Sequence, residues 1–270
     1  YIISGNHDMT SSAASNLDYL GVISRAGEIQ NLHVTLGSTP EVWVAAEGLR
    51  ILGAPAEASE HQERVEALVK DLGSEAQYIF MGHGTIGGCF RNDFNWRPDA
   101  KEDARRLSLT QAANLAPQVI WWAYGDIHKR QALPTLPAHT KGWYAGSPIQ
   151  MDFGETPDRG VLVVALDCID GAWEYKGKRY VRIDEPEYGF APLITVTHEE
   201  QIDSLPKDAF IRLGKGLVLS SQRKEQVVKT LKVVSDFSTP ADIANEMVDE
   251  KGEMQQLQVF DPLLSDLSRV

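Results

Sequence analysis

The side chains best equipped for chemistry are Asn6, His7 and Asp8, the isolated His83, and the pair Asp126 and His128. Amide oxygen, imidazole and carboxylate are donors that manganese, iron or zinc accept, so their recurrence points to a metal site. An imidazole titrating near neutral pH can also stabilise charge on a phosphate or protonate a departing oxygen. Together these groups suit metal-assisted hydrolysis of a phosphoester. Each has a plainer reading when taken singly. Asn6 to Asp8 can be a turn with local capping bonds, and His83 a satisfied buried histidine.

What distinguishes these residues is the element in front of each. Tyr1-Ile2-Ile3-Ser4 runs into Gly5-Asn6-His7-Asp8, Tyr78-Ile79-Phe80 into Met81-Gly82-His83-Gly84, and Val119 to Tyr124 into Gly125-Asp126-Ile127-His128. Ligands of α/β sheets gather beyond the carboxyl ends of strands, which is where three such turns would meet. Between them the pattern predicts a short helix over Ser12 to Leu20 and strands over Leu32 to Leu36, Val42 to Ala46 and Leu49 to Leu52. A helix follows over Ser59 to Leu72, with Val65, Leu68 and Val69 at helical spacing and Gly73 placed to end it. Residues 92–103 are polar and broken by Pro98, and read as a loop that either borders a substrate groove or is a surface excursion.

Beyond Asp167 the texture changes. Trp173 to Ile183 reads as a strand, Asp184-Glu185-Pro186-Glu187 interrupts it, and Leu193 to Val196, Phe210 to Leu213 and Leu217 to Leu219 read as further strands. A helix is predicted over Ser221 to Val234, with Val227, Val228, Leu231 and Val234 on one face, and the tail from Ala241 has a partly helical pattern. The expected organisation is therefore an α/β chain with a larger domain over residues 1–184 and a small α+β domain over 185–270.

Composition is that of an ordinary globular protein: 270 residues, 43% hydrophobic and 24% charged. Cys89 and Cys168 lie far apart without a partner motif, which argues against a disulfide framework and for a reducing compartment, the cytoplasm by default. No apolar run approaches the length of a membrane span, and no repeat or low-complexity tract is present. The net charge of −12 runs against unaided binding to nucleic acid. Arg91, Arg97, Arg105, Arg106, Lys129, Arg130 and Lys141 nevertheless lie between or beside the motifs, as phosphate contacts or as a solvated surface.

The Gly-Asn-His-Asp turn, a strand-end His and a Gly-x-x-His turn, in that order, resemble the calcineurin-like metallophosphoesterase superfamily. Tyr144-Ala145-Gly146-Ser147-Pro148-Ile149-Gln150, continuing through Phe153-Gly154-Glu155 to Gly160-Val161-Leu162-Val163-Val164, is similar to the segment closing the nuclease domain of SbcD-type (SbcD/Mre-type) DNA double-strand-break repair nucleases. His83-Gly84-Thr85 and Ile127-His128-Lys129-Arg130 match that family's wording too, so the resemblance covers residues 1–165 well and the rest loosely. It implies an α+β sandwich, a two-sheet metallophosphoesterase core flanked by helices, with a capping domain for DNA.

The resemblance also assigns roles and cofactors. Two divalent ions are implied, manganese first and magnesium as the alternative. Asn6 and His83 would bind the second ion and His128 the first, while His7 faces the scissile phosphate and Asp8 orients it. Asp126 departs from the pattern, because the family usually has His there; it is either a ligand or a spectator, the former favoured because a carboxylate still coordinates a hard ion, which tilts the site toward manganese or magnesium. Family members begin with an Asp-x-His strand and a Gly-Asp turn. Nothing here precedes Tyr1, so the resemblance implies an absent strand–helix–strand unit and weak metal binding without it. Gly146 and Ser147 are either donors near the metals or a tight turn, the latter favoured, and His33, His61 and His139 match no motif.

The activity implied is that of a manganese-dependent DNA exonuclease and endonuclease in DNA end processing, recombination and repair. Its partners would be DNA, an SbcC-like SMC-type ATPase and a second nuclease subunit in a homodimer, with no membrane. A metallophosphoesterase acting on a small phosphodiester or a phosphoprotein is the alternative, and a non-catalytic DNA-end or scaffold protein is the third reading.

Overall fold

Strands buried on both faces read as near-continuous apolar runs, and Val119 to Tyr124 is such a run. In the computed structural model it forms the centre of a mixed six-stranded sheet. The structure describes residues 1–11, 14–27, 29, 31–56, 61–90, 108–134, 136–151, 153, 155–156, 158–183, 191–207 and 209–236. The loop expected over 92–103, the tail from Ala241, and Arg91, Arg97, Arg105 and Arg106 lie outside the described residues. The chain divides into two units, Tyr1–Ile149 with Asp158–Ile183, and Gln150–Pro157 with Asp184–Val270.

The sheet of the first unit comprises β1 (Glu41–Ala46), β2 (Leu49–Ala54), β3 (Gln77–His83), β4 (Val119–Gly125), β5 (Gln131–Ala132) and β6 (Lys141–Tyr144), in the order β1-β2-β3-β4-β6-β5. The strands β2, β3, β4 and β6 run parallel, while β1 and β5 are antiparallel edges. One sheet face, carrying Leu52, Tyr78, Phe80, Trp122, Tyr124 and Tyr144, packs with buried residues of helices α2 (His61–Lys70) and α3 (Leu109–Leu115). Val65 and Val69 of α2, one turn apart, are both buried there, as are Leu109, Ala112 and Ala113 of α3. The Phe80 and Trp122 rings sit 4.8 Å apart in a tilted pair, the geometry aromatic quadrupoles favour.

The opposite face meets a hairpin formed by β7 (Gly160–Ile169) and β8 (Ala172–Arg182). Trp121 stacks on Tyr175 at 5.2 Å, the Lys178 ammonium lies 4.0 Å above the Trp143 ring, and the Gln77 amide donates to Trp173 O at 2.8 Å. An apolar cavity of about 470 Å³ runs along β7, bounded by Ile51, Ile79 and Met81 of the sheet and by Leu162, Val164 and Leu166. His83 lines its end.

In the second unit β9 (Leu193–Val196), β10 (Phe210–Leu213) and β11 (Lys232–Asp236) form a parallel sheet, with a 3-10 turn at Glu199–Ser204 and helix α4 (Ser221–Thr230). Its core gathers Val196, Ile202, Ile211, Leu213, Leu217 and Val227. The Gln150 side chain pairs with the backbone of Leu193, accepting from its N–H at 2.9 Å and donating to its carbonyl at 3.2 Å.

The mixed α/β architecture is thus present, with local departures from expectation. The helix expected over Ser12 to Leu20 is α1 (Asp18–Arg25), because Ser15 N donates to the Asp18 carboxylate at 3.0 Å and the turn it closes delays the start. Leu32 to Leu36 is not a strand; its contribution is one parallel bridge between Ile2 and Val34. Leu217 to Leu219 is not a strand either. The helix expected to reach Val234 stops at Thr230, and Val233 and Val234 enter β11, where β-branched side chains suit an edge strand beside β10. No helix among the described residues is long and apolar enough to cross a membrane.

Candidate metal centre

Parallel pairing of β3 with β4 sets His83 opposite Gly125, so the next residue, Asp126, emerges beside the imidazole. The segment Tyr1 to Asp8 is brought to the same end by backbone bonds: Ile2 N to His33 O at 2.8 Å, Thr35 N to Ile2 O at 3.1 Å, and Ala56 N to Ser4 O at 2.8 Å. The hydroxyl of buried Ser4 donates to the Ser15 hydroxyl at 2.7 Å and fixes the strand-to-turn transition. Glycines permit the approach. A Cβ on Gly5 would lie 2.8 Å from His83 Cε1, and one on Gly125 would lie 2.8 Å from His83 Nδ1.

Three donors converge. His83 Nε2 lies 2.9 Å from Asn6 Oδ1 and 3.8 Å from Asp126 Oδ1. The other Asp126 oxygen accepts a 2.7 Å hydrogen bond from the Thr85 hydroxyl. Asp126 adopts φ 106°, a conformation side-chain-bearing residues rarely take and one that tends to persist at functional sites. Metal bonds of about 2.0–2.2 Å put adjacent donor atoms of a coordination shell about 3 Å apart or slightly more. The Asn6 oxygen and the His83 nitrogen meet that spacing, and the Asp126 oxygen, 3.8 Å from the nitrogen, stands outside it.

Burial holds the His83 imidazole below the usual histidine range, with His7 and His128 acting in the same direction and the carboxylates of Asp126 and Asp8 opposing it. A neutral ring is the form that ligates metal. His7 is exposed. The Asp8 carboxylate accepts from the Gly5 amide at 2.8 Å, closing the turn that carries Asn6 and His7. His128 is exposed, and its carbonyl accepts from Ser147 N at 3.1 Å and from the Arg159 guanidinium.

Gly146 takes φ 83°, and a Cβ there would stand 2.7 Å from His128 O. The Gly146-Ser147 turn thus holds the backbone of His128. Its Ser147 N–H is spent on that carbonyl, and the buried Ser147 hydroxyl has no hydrogen-bond partner among the described residues. His33 stacks on Tyr1 at 4.8 Å.

Two contributors were not singled out by sequence reasoning. One is Thr85, quoted there only as part of a motif. The other is Tyr144, fully buried, whose hydroxyl donates to Gly84 O at 2.6 Å and accepts from Ile86 N at 2.9 Å, bracketing Thr85. Burial drives its pKa well up, so it remains a neutral donor. A Tyr ending a short strand beside the strands that carry His83 and Asp126 is a faint signal, legible only once β6 is known to lie next to β4.

Among the described residues no group of three or more His, Cys, Asp or Glu side chains gathers as a metal cage; the cluster is two such side chains and the Asn6 amide. No protein-family model matches the chain, and no curated protein matches it significantly.

Proposed function

We propose that the protein is a metal-dependent DNA nuclease of the SbcD type, built on the metallophosphoesterase core and hydrolysing phosphodiester bonds at DNA ends. The observation carrying this reading is the convergence of Asn6, His83 and Asp126 at the ends of adjacent apolar elements, with His7 exposed at the turn beside them. Asn6, His83, Asp126 and His128 are the residues that would hold two divalent ions, manganese in preference to magnesium. When bound, such ions polarise the phosphodiester and activate the attacking water.

The protein's own residues do the rest. Asp8 fixes the turn through the Gly5 amide, so that His7 is held at the surface where a phosphate arrives. His7 then stabilises charge on the phosphoryl oxygens or gives a proton to the departing oxygen. His83 would ligate an ion through Nε2 as a neutral ring once the Nε2 proton, which faces Asn6 Oδ1 at 2.9 Å, has moved to Nδ1. Of the basic residues beside the site, Arg130 stacks on Tyr180 at 3.6 Å and pairs with Asp158 at 2.9 Å, and Lys129 lies 4.8 Å above Phe90. With a net charge of −12, much of the DNA grip falls to partners, an SbcC-like SMC-type ATPase and a second nuclease subunit.

The test is cleavage by the full-length protein, with manganese, of linear duplex DNA beside a small chromogenic phosphodiester and a phosphomonoester, with and without the ATPase. Manganese-dependent DNA degradation that disappears in His7→Asn is the expected result. Turnover confined to the small substrates would move the assignment to a general metallophosphoesterase, and inactivity on all three to a scaffold.

A further inference from the structure

Asp126 is held in a manner its role as a simple ligand does not require. Its backbone sits at φ 106°, and its two carboxylate oxygens face different partners: Oδ2 takes the Thr85 hydroxyl at 2.7 Å, and Oδ1 turns toward His83 Nε2 at 3.8 Å. Thr85 is itself fixed from both sides. Gly84 N donates to Gly125 O at 3.2 Å, lashing the two turns together, and the Tyr144 hydroxyl clamps Gly84 O and Ile86 N. As a β-branched residue, Thr85 has few side-chain rotamers to choose from.

We propose that Thr85 is a positioning residue for Asp126: its hydroxyl occupies one carboxylate oxygen and aims the other at the space between Asp126 and the His83 imidazole, where a divalent cation binds. The inference rests on the metal-centre reading above and adds to it a residue outside the ligand set. A hydroxyl bonded to a ligating carboxylate both orients it and removes the competing bidentate arrangement. The bracket formed by Tyr144 makes Thr85 a fixed point instead of a mobile side chain, so the orientation is imposed before any cation arrives.

The experiment is a double-mutant cycle in the full-length protein, read by manganese titration (calorimetry and electron paramagnetic resonance) as well as by turnover. Thr85→Val should weaken manganese binding about 10-fold, the lower end of what loss of a ligand's supporting hydrogen bond produces, while Thr85→Ser stays close to wild type. In an Asp126→Asn background Thr85→Val should have no further effect, because the carboxylate it positions is gone. Should Thr85→Val fold poorly, Thr85→Ala compared with Thr85→Ser decides the same question. Manganese affinity unchanged in Thr85→Val, or weakened equally in both backgrounds, overturns the positioning role and leaves the metal centre standing. A wild-type protein that takes up no manganese overturns the metal centre, and the role of Thr85 falls with it.

Discussion

Replacing Gly5 by alanine tests the geometry of the centre through a single methyl group. The new Cβ would lie 2.8 Å from His83 Cε1, 3.1 Å from Nδ1 and 3.2 Å from Nε2, so three ring atoms come inside ordinary contact. The ring has little room to retreat, because Gly125 lies against Nδ1, where even a Cβ would come within 2.8 Å. The turn must move instead, and it carries Asn6, whose amide oxygen sits 2.9 Å from His83 Nε2. Overpacking of this kind costs about 1–3 kcal/mol, which in a unit of this size lowers Tm by about 2–4 °C per kcal/mol. Manganese affinity should fall as well, since a shift of a few tenths of an ångström in Asn6 spoils the donor spacing. Gly177→Ala is the control, because a Cβ there meets nothing within 4 Å. Thermal denaturation and manganese titration of both variants decide the matter. If Gly5→Ala matches Gly177→Ala in both, the close seating of His83 against the Gly5 turn is wrong.

Three further outcomes follow from the same arrangement. His7→Asn should abolish cleavage while manganese binding persists, whereas His83→Ala should lose both; retained cleavage in His7→Asn would remove His7 from the mechanism. In the metal-free protein, the depressed pKa of His83 means the unfolded chain binds that proton more readily, so stability is full above about pH 6.5 and declines as pH falls through that value toward the lower folded pKa. Denaturant titrations at several pH values should show this slope in wild type and its reduction in His83→Gln. Tyr144→Phe should lower stability by about 1–3 kcal/mol, because it strips a hydrogen bond each from Gly84 O and Ile86 N, and an unchanged Tm would show that water replaces the hydroxyl freely.

Which parts of this structure the sequence announces depends on how local their causes are. Strands β1 to β4, β9 and β10 carry their own apolar patterns, and α2 carries Val65 and Val69 at one-turn spacing, so each was expected close to its observed position. Strand β6 was not recognised as one: Lys141-Gly142-Trp143-Tyr144 is short and interrupted by glycine, and what makes it a strand is the free edge of β4. The same cause makes Lys232–Asp236 a strand where the expected helix ran on to Val234, since helical spacing of valines cannot reveal that β10 has an open side. At the centre, the turns bearing Asn6, His83 and Asp126 could be picked out as chemistry-bearing, because each follows an apolar strand-like run. Their partners could not. That Asp8 closes its turn on Gly5, and that Thr85 reaches across to Asp126, depends on backbone placement with no periodic trace in the sequence.

The position of the centre follows from the period of the strand itself. Along β3, Tyr78 and Phe80 face the helices and are buried in the core, whereas Ile79, Met81 and His83 face the hairpin side and line the apolar cavity. The alternation has a period of two, so slipping β3 by one residue would drive His83 among the aromatic rings and expose Phe80. The register is therefore held by the burial of Tyr78, Phe80 and Trp122, not by the polar groups at the end. Because β4 is locked to β3 by the same rings, Asp126 has one position relative to His83, and its strained backbone is sustained by packing well behind it. The apolar interior thus does for the centre what its own hydrogen bonds cannot: it brings a carboxylate, an imidazole and an amide oxygen within ångströms of one another.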